Sequence, residues 1–306
     1  MPFDWKGVMP ALTTKFDAND QLDLALFEKN VHAQLEAGVS GLILGGTLGE
    51  SSTLAEGEKV ELTRRAVALA GGRVPVIVNV AEGSTRSAIA AAKTAGANGA
   101  AGLMLLPPMR YRPTPQETLT FFREVASHTD LPIMVYNNPV DYGTEVTLDQ
   151  FESLLDQCPN IQAVKESTRD VSNVTRIRNR FGDRLNILCG VDTLALESLL
   201  MGADGWVAGL VCAFPRETVA VYALARAGKI RDALAIYRWF LPLLELDINP
   251  QLVQNIKLAE AMTGLGSEHV RAPRLPLEGP ERERVAALIA GALKDRPELP
   301  EYKAYL

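Results

Sequence analysis

Along the chain, short runs dominated by Val, Ile and Leu alternate with segments whose apolar positions recur every three or four residues. The short runs read as strands and the wider spacing reads as amphipathic helix. This pattern predicts strands at 7–14, 41–46, 74–80, 102–107, 132–137, 161–165, 185–190 and 205–211. Helices are predicted between them at 22–37, 56–70, 85–94, 115–127, 147–156, 171–180 and 193–201, and a helix at 217–227 closes the eighth unit. Most open on Asp, Ser or Thr and several close on Gly, the residues that cap helix ends. Near-continuous apolar runs are what parallel strands buried on both faces require. Eight units of even length predict an α/β chain folded as a (β/α)8 TIM barrel. A doubly wound sheet is the alternative, and no GxGxxG follows the first strand to favour it.

The chain continues beyond the eighth unit. Segments 231–244, 250–262 and 280–293 read as further helices, with a Pro-rich connection at 272–277. The expected organisation is a barrel over 1–230 and a helical C-terminal extension over 231–306 packed on it. Within the extension, Leu243-Leu244-Glu245-Leu246-Asp247 reads as core or packing surface.

With 306 residues, 47% hydrophobic content and a formal net charge of -6, the chain can bury a large core. Its acidic balance disfavours nucleic acid and anionic membrane, so a small molecule is the expected partner. No secretory signal pattern and no stretch of about 18 apolar residues occurs, which leads to the expectation of a cytoplasmic protein. Cys158, Cys189 and Cys212 are odd in number and form neither a CxxC pair nor a zinc spacing, so buried reduced thiols are expected. His32, His128 and His269 fall away from the predicted strand ends and are given no catalytic role.

In such a barrel the chemistry belongs at the carboxyl ends of the strands. The sixth strand ends in Val164-Lys165-Glu166-Ser167-Thr168. An amine at a buried strand end can lose its proton and attack a carbonyl carbon; an ordinary solvated or salt-bridged lysine is the other reading of that pentapeptide. The second strand ends in Gly45-Gly46-Thr47-Leu48-Gly49-Glu50-Ser51-Ser52. Such a turn can cradle an anion on backbone N–H groups, or its Ser and Glu can cap the next helix. The fifth strand ends in Tyr136-Asn137-Asn138-Pro139, which places either a proton-shuttling phenol or a core tyrosine at the barrel top.

These strand ends resemble one family. Gly-Thr-Leu-Gly-Glu-Ser at 46–51, Tyr-Asn-Asn-Pro at 136–139, Val-Lys-Glu-Ser at 164–167 and Gly-Val-Asp at 190–192 are similar, in order and spacing, to the dihydrodipicolinate synthase/N-acetylneuraminate lyase family. The resemblance runs from Pro10-Ala11-Leu12-Thr13-Thr14 to the C-terminal helices. It implies a lysine imine acting on 2-oxo acids, with Lys165 as the Schiff-base residue, Tyr136 as acid/base and Thr47 as the relay from Tyr136. It also implies that Thr47 and the Leu48 N–H help hold the substrate carboxylate, that Gly46 belongs to the same substrate-binding turn, and that Gly190, Asp192 and Val207 line the substrate tail. No metal or cofactor is implied beyond the covalent imine, and a homotetramer, a dimer of dimers, is the family's common assembly.

The departures narrow the branch. Leu48 stands where the founding synthase has a second threonine, and Asp141 stands where it has a substrate-binding arginine. Pro108-Met109-Arg110-Tyr111 replaces its Pro-Tyr-Tyr relay segment, so either Arg110 or Tyr111 takes that place. With the Leu-Val-Gln-Asn-Ile-Lys tail at 252–257, the pattern most resembles the Δ1-pyrroline-4-hydroxy-2-carboxylate deaminases. There Asp141 is a candidate partner for the liberated ammonium, with a capping role as its alternative. A 2-keto-3-deoxy sugar acid dehydratase or aldolase, or a 4-hydroxy-2-oxoglutarate aldolase, is the next expectation. The synthase itself and a non-catalytic binding barrel come last.

Overall fold

The computed structural model describes residues 4–306. The eight strands are β1 (Gly7–Pro10), β2 (Leu42–Leu44), β3 (Val76–Val80), β4 (Gly102–Leu105), β5 (Ile133–Asn137), β6 (Ile161–Glu166), β7 (Asn186–Cys189) and β8 (Gly205–Ala208). They run parallel in the order β1-β8-β7-β6-β5-β4-β3-β2. Closure comes from a parallel bridge between Ala11 and Ile43, with the Leu12 N–H donating to the Ile43 carbonyl at 2.9 Å. The expected (β/α)8 barrel is thus the observed fold.

Around it lie α1 (Leu24–Ala37), α2 (Glu56–Ala70), α3 (Thr85–Ala97), α4 (Pro115–Ala126), a single turn α5 (Pro139–Tyr142), α6 (Leu148–Gln157), α7 (Ser172–Phe181), α8 (Ala195–Leu200) and α9 (Pro215–Arg226). The caps follow the sequence signals. Asp23, Ser84, Thr114 and Thr147 each accept an N–H of the first turn on the side chain, and Gly38 ends α1 at φ 98. Apart from β6, the strands are shorter than the apolar runs that predict them. β1 stops at Pro10 and β8 at Ala208, with Ala11 still donating to the Ala208 carbonyl at 2.8 Å just past the end of the ladder.

The extension contributes α10 (Ile230–Leu244), α11 (Leu252–Met262) and α12 (Gly279–Lys294). α10 packs on α8, α9 and α12, which leaves α9 almost wholly buried. α11 docks through two ion pairs whose members are all fully buried. Lys15 meets Glu260 at 2.6 Å, and Lys257 meets Glu50. Glu260 also accepts from Thr13 and Asn30, and Glu50 from the Arg271 N–H. Burying such charges is tolerable only because each is paired and hydrogen-bonded. Among the described residues, no helix is long and apolar enough to cross a membrane.

Candidate active site

Lys165 and Tyr136 are register partners on β6 and β5, so their side chains emerge side by side at the carboxyl end of the barrel. The Lys165 Nζ stands 4.0 Å from the centre of the Tyr136 ring, and both residues are buried. Burial lowers the Lys165 pKa from its ordinary 10.5, against the opposing pull of Tyr142, Asp247, Asp192 and Cys189. Burial likewise pushes the Tyr136 phenol up to about 12, although the Asn138 amide donates to it at 3.2 Å. An amine with access to its neutral form beside a neutral phenol has the components of carbonyl addition with proton transfer.

Gly190 follows β7, and its conformation is less important than its missing side chain. A Cβ there would lie 2.1 Å from the Ser167 Oγ and 2.6 Å from the Lys165 Cε. The glycine therefore clears the volume through which Lys165 reaches the cavity.

Thr47 lies beyond β2 in the turn that the sequence marks as an anion cradle. Among the described residues, the N–H groups of Thr47 and Leu48 donate to no other group of the chain. Glu50, in the same turn, does not cap α2; it is carried at φ 51 into the buried pair with Lys257. The cap position of α2 is served instead by Glu58, which accepts the Ala55 N–H at 2.8 Å.

The family resemblance implies a Thr47 hydroxyl that relays a proton from Tyr136, but its partner in the structure is the Tyr142 hydroxyl, at 2.8 Å. The one-turn helix α5 explains the arrangement. Asn138 caps it, Pro139 sets its first φ, and Gly143 at φ 69 ends it, which holds Tyr142 above the site. The Tyr142 ring meets that of Tyr136 edge to face, centres 5.6 Å apart. Burial, with Tyr136 beside it, pushes the Tyr142 phenol up to about 12.

These groups border a cavity of about 90 Å³ lined by Gly46, Thr47, Leu48, Tyr136, Lys165 and Gly190, with Val207, Asp141 and Asp247 among the other walls. A wider vestibule of about 640 Å³ shares Gly46, Thr47, Tyr136, Asp141 and Tyr142 with it. Arg110 borders only this vestibule, and Tyr111, 55% exposed, lines neither space. Of the two expected substitutes for a relay tyrosine, neither reaches Tyr136 within the chain.

The expected tail-binding acids are differently placed. Asp192 is buried and accepts from the Trp206 indole at 2.8 Å, the Leu210 N–H at 2.9 Å and the Gly209 N–H at 3.2 Å. It locks the ends of β7 and β8 together and is not among the residues lining the cavity. Asp141 does line the cavity, yet it accepts from the Asn138 amide at 2.8 Å and pairs with Arg169 at 3.3 Å. Its backbone N–H donates to the Asn138 side chain, so α5 is capped by Asn138 and not by Asp141.

Three residues of the site escaped the sequence reading. Tyr142 lacks a strand-end position, and Arg169 sits in a turn at φ 64, so neither belongs to a periodic pattern. The sequence places Asp247 in a packing stripe. Leu243, Leu244 and Leu246 are buried as expected, whereas Asp247 borders the cavity. The three cysteines are buried and free, and burial pushes the Cys189 thiol up to about 12.

The dihydrodipicolinate synthetase family model matches residues 4–292 of the chain. The 4-hydroxy-tetrahydrodipicolinate synthase of Sorangium cellulosum (strain So ce56) is 35% identical over 284 residues, covering 92% of this chain and 93% of that protein. The enzyme of the same name from Exiguobacterium sibiricum is 34% identical over 276 residues, 89% of this chain and 92% of the relative. Among solved structures, the 4-hydroxy-tetrahydrodipicolinate synthase of Methylacidiphilum fumariolicum SolV superposes with a TM-score of 0.90 at 30% identity, over 95% of this chain and 97% of the other. With the whole barrel, the strand-end motifs and α11 inside the matched region, the chain belongs to the dihydrodipicolinate synthetase family of enzymes.

Proposed function

We propose that the protein is a lysine Schiff-base enzyme that removes a hydroxyl or amino group from a small 2-oxo acid or cyclic imino acid, with Δ1-pyrroline-4-hydroxy-2-carboxylate as the substrate that fits best. Lys165 enters the substrate at its C=N bond by transimination and opens the ring, freeing an amine. The protonated imine then serves as an electron sink for the carbanion formed at the neighbouring carbon. Tyr136, kept neutral by burial, moves the proton at that carbon. The hydrogen-bonded Thr47 and Tyr142 hydroxyls carry protons between substrate and vestibule beside Tyr136, and the Thr47 and Leu48 N–H groups hold the carboxylate. Loss of the hydroxyl as water, followed by uptake of two waters, gives 2,5-dioxopentanoate and ammonia with one net water consumed.

The observation that carries this reading is the chemistry of the cavity wall. Asp141 and Asp247 line it, and its one guanidinium, Arg169, is engaged by Asp141. Such a wall suits a substrate bearing hydroxyl and ammonium donors better than one bearing a second carboxylate. The opposite reading, the synthase reaction of pyruvate with a semialdehyde, draws on Arg169 itself. Its guanidinium lies across from the position where Asp141 replaces the synthase arginine, and the relatives carry the synthase name.

The deciding experiment assays ammonia and dioxopentanoate from the pyrroline, and condensation of pyruvate with aspartate semialdehyde, beside Lys165→Ala. Ammonia release abolished by the substitution supports the deaminase. Condensation without ammonia release would replace it with the synthase. Absence of a borohydride-trapped pyruvate adduct on Lys165 would remove the Schiff-base mechanism altogether.

A further inference from the structure

The cavity contains one acidic group that the fold does not use. Asp141 is paired with Arg169 and Asn138, and Asp192 is consumed by Trp206, Gly209 and Leu210. Asp247, by contrast, makes no side-chain hydrogen bond or ion pair among the described residues, although it is only partly exposed and lines the cavity with Lys165. It does not belong to the barrel. It sits in the 3-10 turn Glu245–Ile248 that joins α10 to α11, so the extension delivers it across the mouth of the barrel.

The barrel makes room for it. A Cβ on Gly209, just past β8, would lie 2.2 Å from the Asp247 Oδ1 and 2.9 Å from the Leu48 Cδ1. A carboxyl held half-buried, with no partner of its own, against a glycine that alone permits its approach, is a poor structural device. It is, however, a common property of a group whose partner is the substrate. Burial, reinforced by the neighbouring Asp192 charge, also pushes its carboxyl well above the ordinary range and so favours the protonated acid. The groups facing it are Lys165 and Arg169 on one side of the balance and Asp192 and Asp141 on the other.

We infer that Asp247 is the acid that protonates the departing hydroxyl of the Lys165-bound substrate. The inference rests on the elimination reading above and extends it to a specific atom. In the step, the enamine nitrogen pair re-forms the C=N bond, and the carbon–carbon π pair shifts to the bond between the α- and β-carbons. The β-carbon–oxygen bond breaks with its electron pair on oxygen. That oxygen takes the Asp247 proton and leaves as water. The Asp247 carboxylate left behind is a counter-ion for the substrate's amine, and it regains a proton when the unsaturated imine tautomerises.

The test compares wild type with Asp247→Asn and Asp247→Ala in three measurements: water or ammonia elimination from the pyrroline and from a 2-oxo-3-deoxy sugar acid, borohydride trapping of pyruvate on Lys165, and thermal unfolding. Pyruvate has no β-hydroxyl, so its imine formation does not call on Asp247. Elimination is expected to fall about 10²- to 10⁴-fold in both variants. Trapping is expected not to fall, since losing Asp247 removes one of the groups that oppose deprotonation of Lys165, and the unfolding midpoint is expected to hold or rise, since no bond inside the chain is lost. Elimination unchanged within threefold, or elimination and trapping falling in parallel, would overturn the assignment, as would a drop in the unfolding midpoint that accounts for the activity loss. If wild type eliminates from the sugar acid alone and the variants lose that activity, the pyrroline reading fails and Asp247 stands. If wild type traps pyruvate but eliminates from neither substrate, both are overturned.

Discussion

Gly190→Ala inserts one methyl group where the structure leaves no space. The new carbon would lie 2.6 Å from the Lys165 Cε and 2.7 Å from its Cγ, with the Ser167 Oγ at 2.1 Å. Ordinary contact begins near 3.4 Å, so Lys165 must retreat by about 0.8 Å and Ser167 by more. Overpacking of this kind costs about 1–3 kcal/mol of stability, and a displacement near 1 Å of a reacting group costs about 10²-fold in rate. The two consequences have different sources and can be separated. Adding Ser167→Ala removes the tighter clash and should recover part of the stability, while Lys165 remains displaced and imine formation remains slow. The assay is the rate of borohydride-trapped pyruvate incorporation at Lys165, read by mass, beside urea unfolding of each variant. Trapping at the wild-type rate in the single variant would refute the reasoning. So would full recovery of trapping in the double variant, since Lys165 would then not be the group that the methyl displaces.

The remaining predictions concern protonation, relay and docking. Because burial lowers the Lys165 pKa from 10.5, the trapping rate should rise with pH as the amine deprotonates and reach its plateau below pH 10.5; a rate still climbing through that value would contradict the burial argument. Tyr142→Phe keeps the ring over Tyr136 but removes the Thr47 bond, and turnover should fall on the order of 10²-fold. Thr47→Val should match it and the double variant should add little, which steady-state kinetics can show. Lys257→Met leaves the buried Glu50 with the more distant Arg274 guanidinium, at 3.9 Å, as its remaining ion-pair partner among the described residues and should cost about 3–5 kcal/mol in urea unfolding, whereas Lys257→Met with Glu50→Gln should recover much of the loss.

By itself the sequence determined the barrel. Its apolar runs recur at strand length, its helices carry their caps, and both are local signals that survive without knowledge of the fold. It also pointed to Lys165, Tyr136 and the Thr47-Leu48 turn, which border one cavity, because in a parallel barrel the end of a strand faces the space where such a cavity forms. Only the tertiary structure decided which side chains share that site. Tyr142 enters on a single helical turn, Arg169 on a turn at φ 64, and Asp247 from a segment more than eighty residues beyond Lys165 in the chain. Asp192 stays out of the cavity lining because Trp206 of β8 and the Gly209 and Leu210 N–H groups just beyond it converge on its carboxylate. Asp141 is neutralised by Arg169, and Glu50 turns from helix cap to buried partner of Lys257. None of these pairings has a period or a spacing. They arise where loops and the C-terminal helices close over the barrel, and each buried polar group takes its role from whichever partner the packing brings within hydrogen-bond reach.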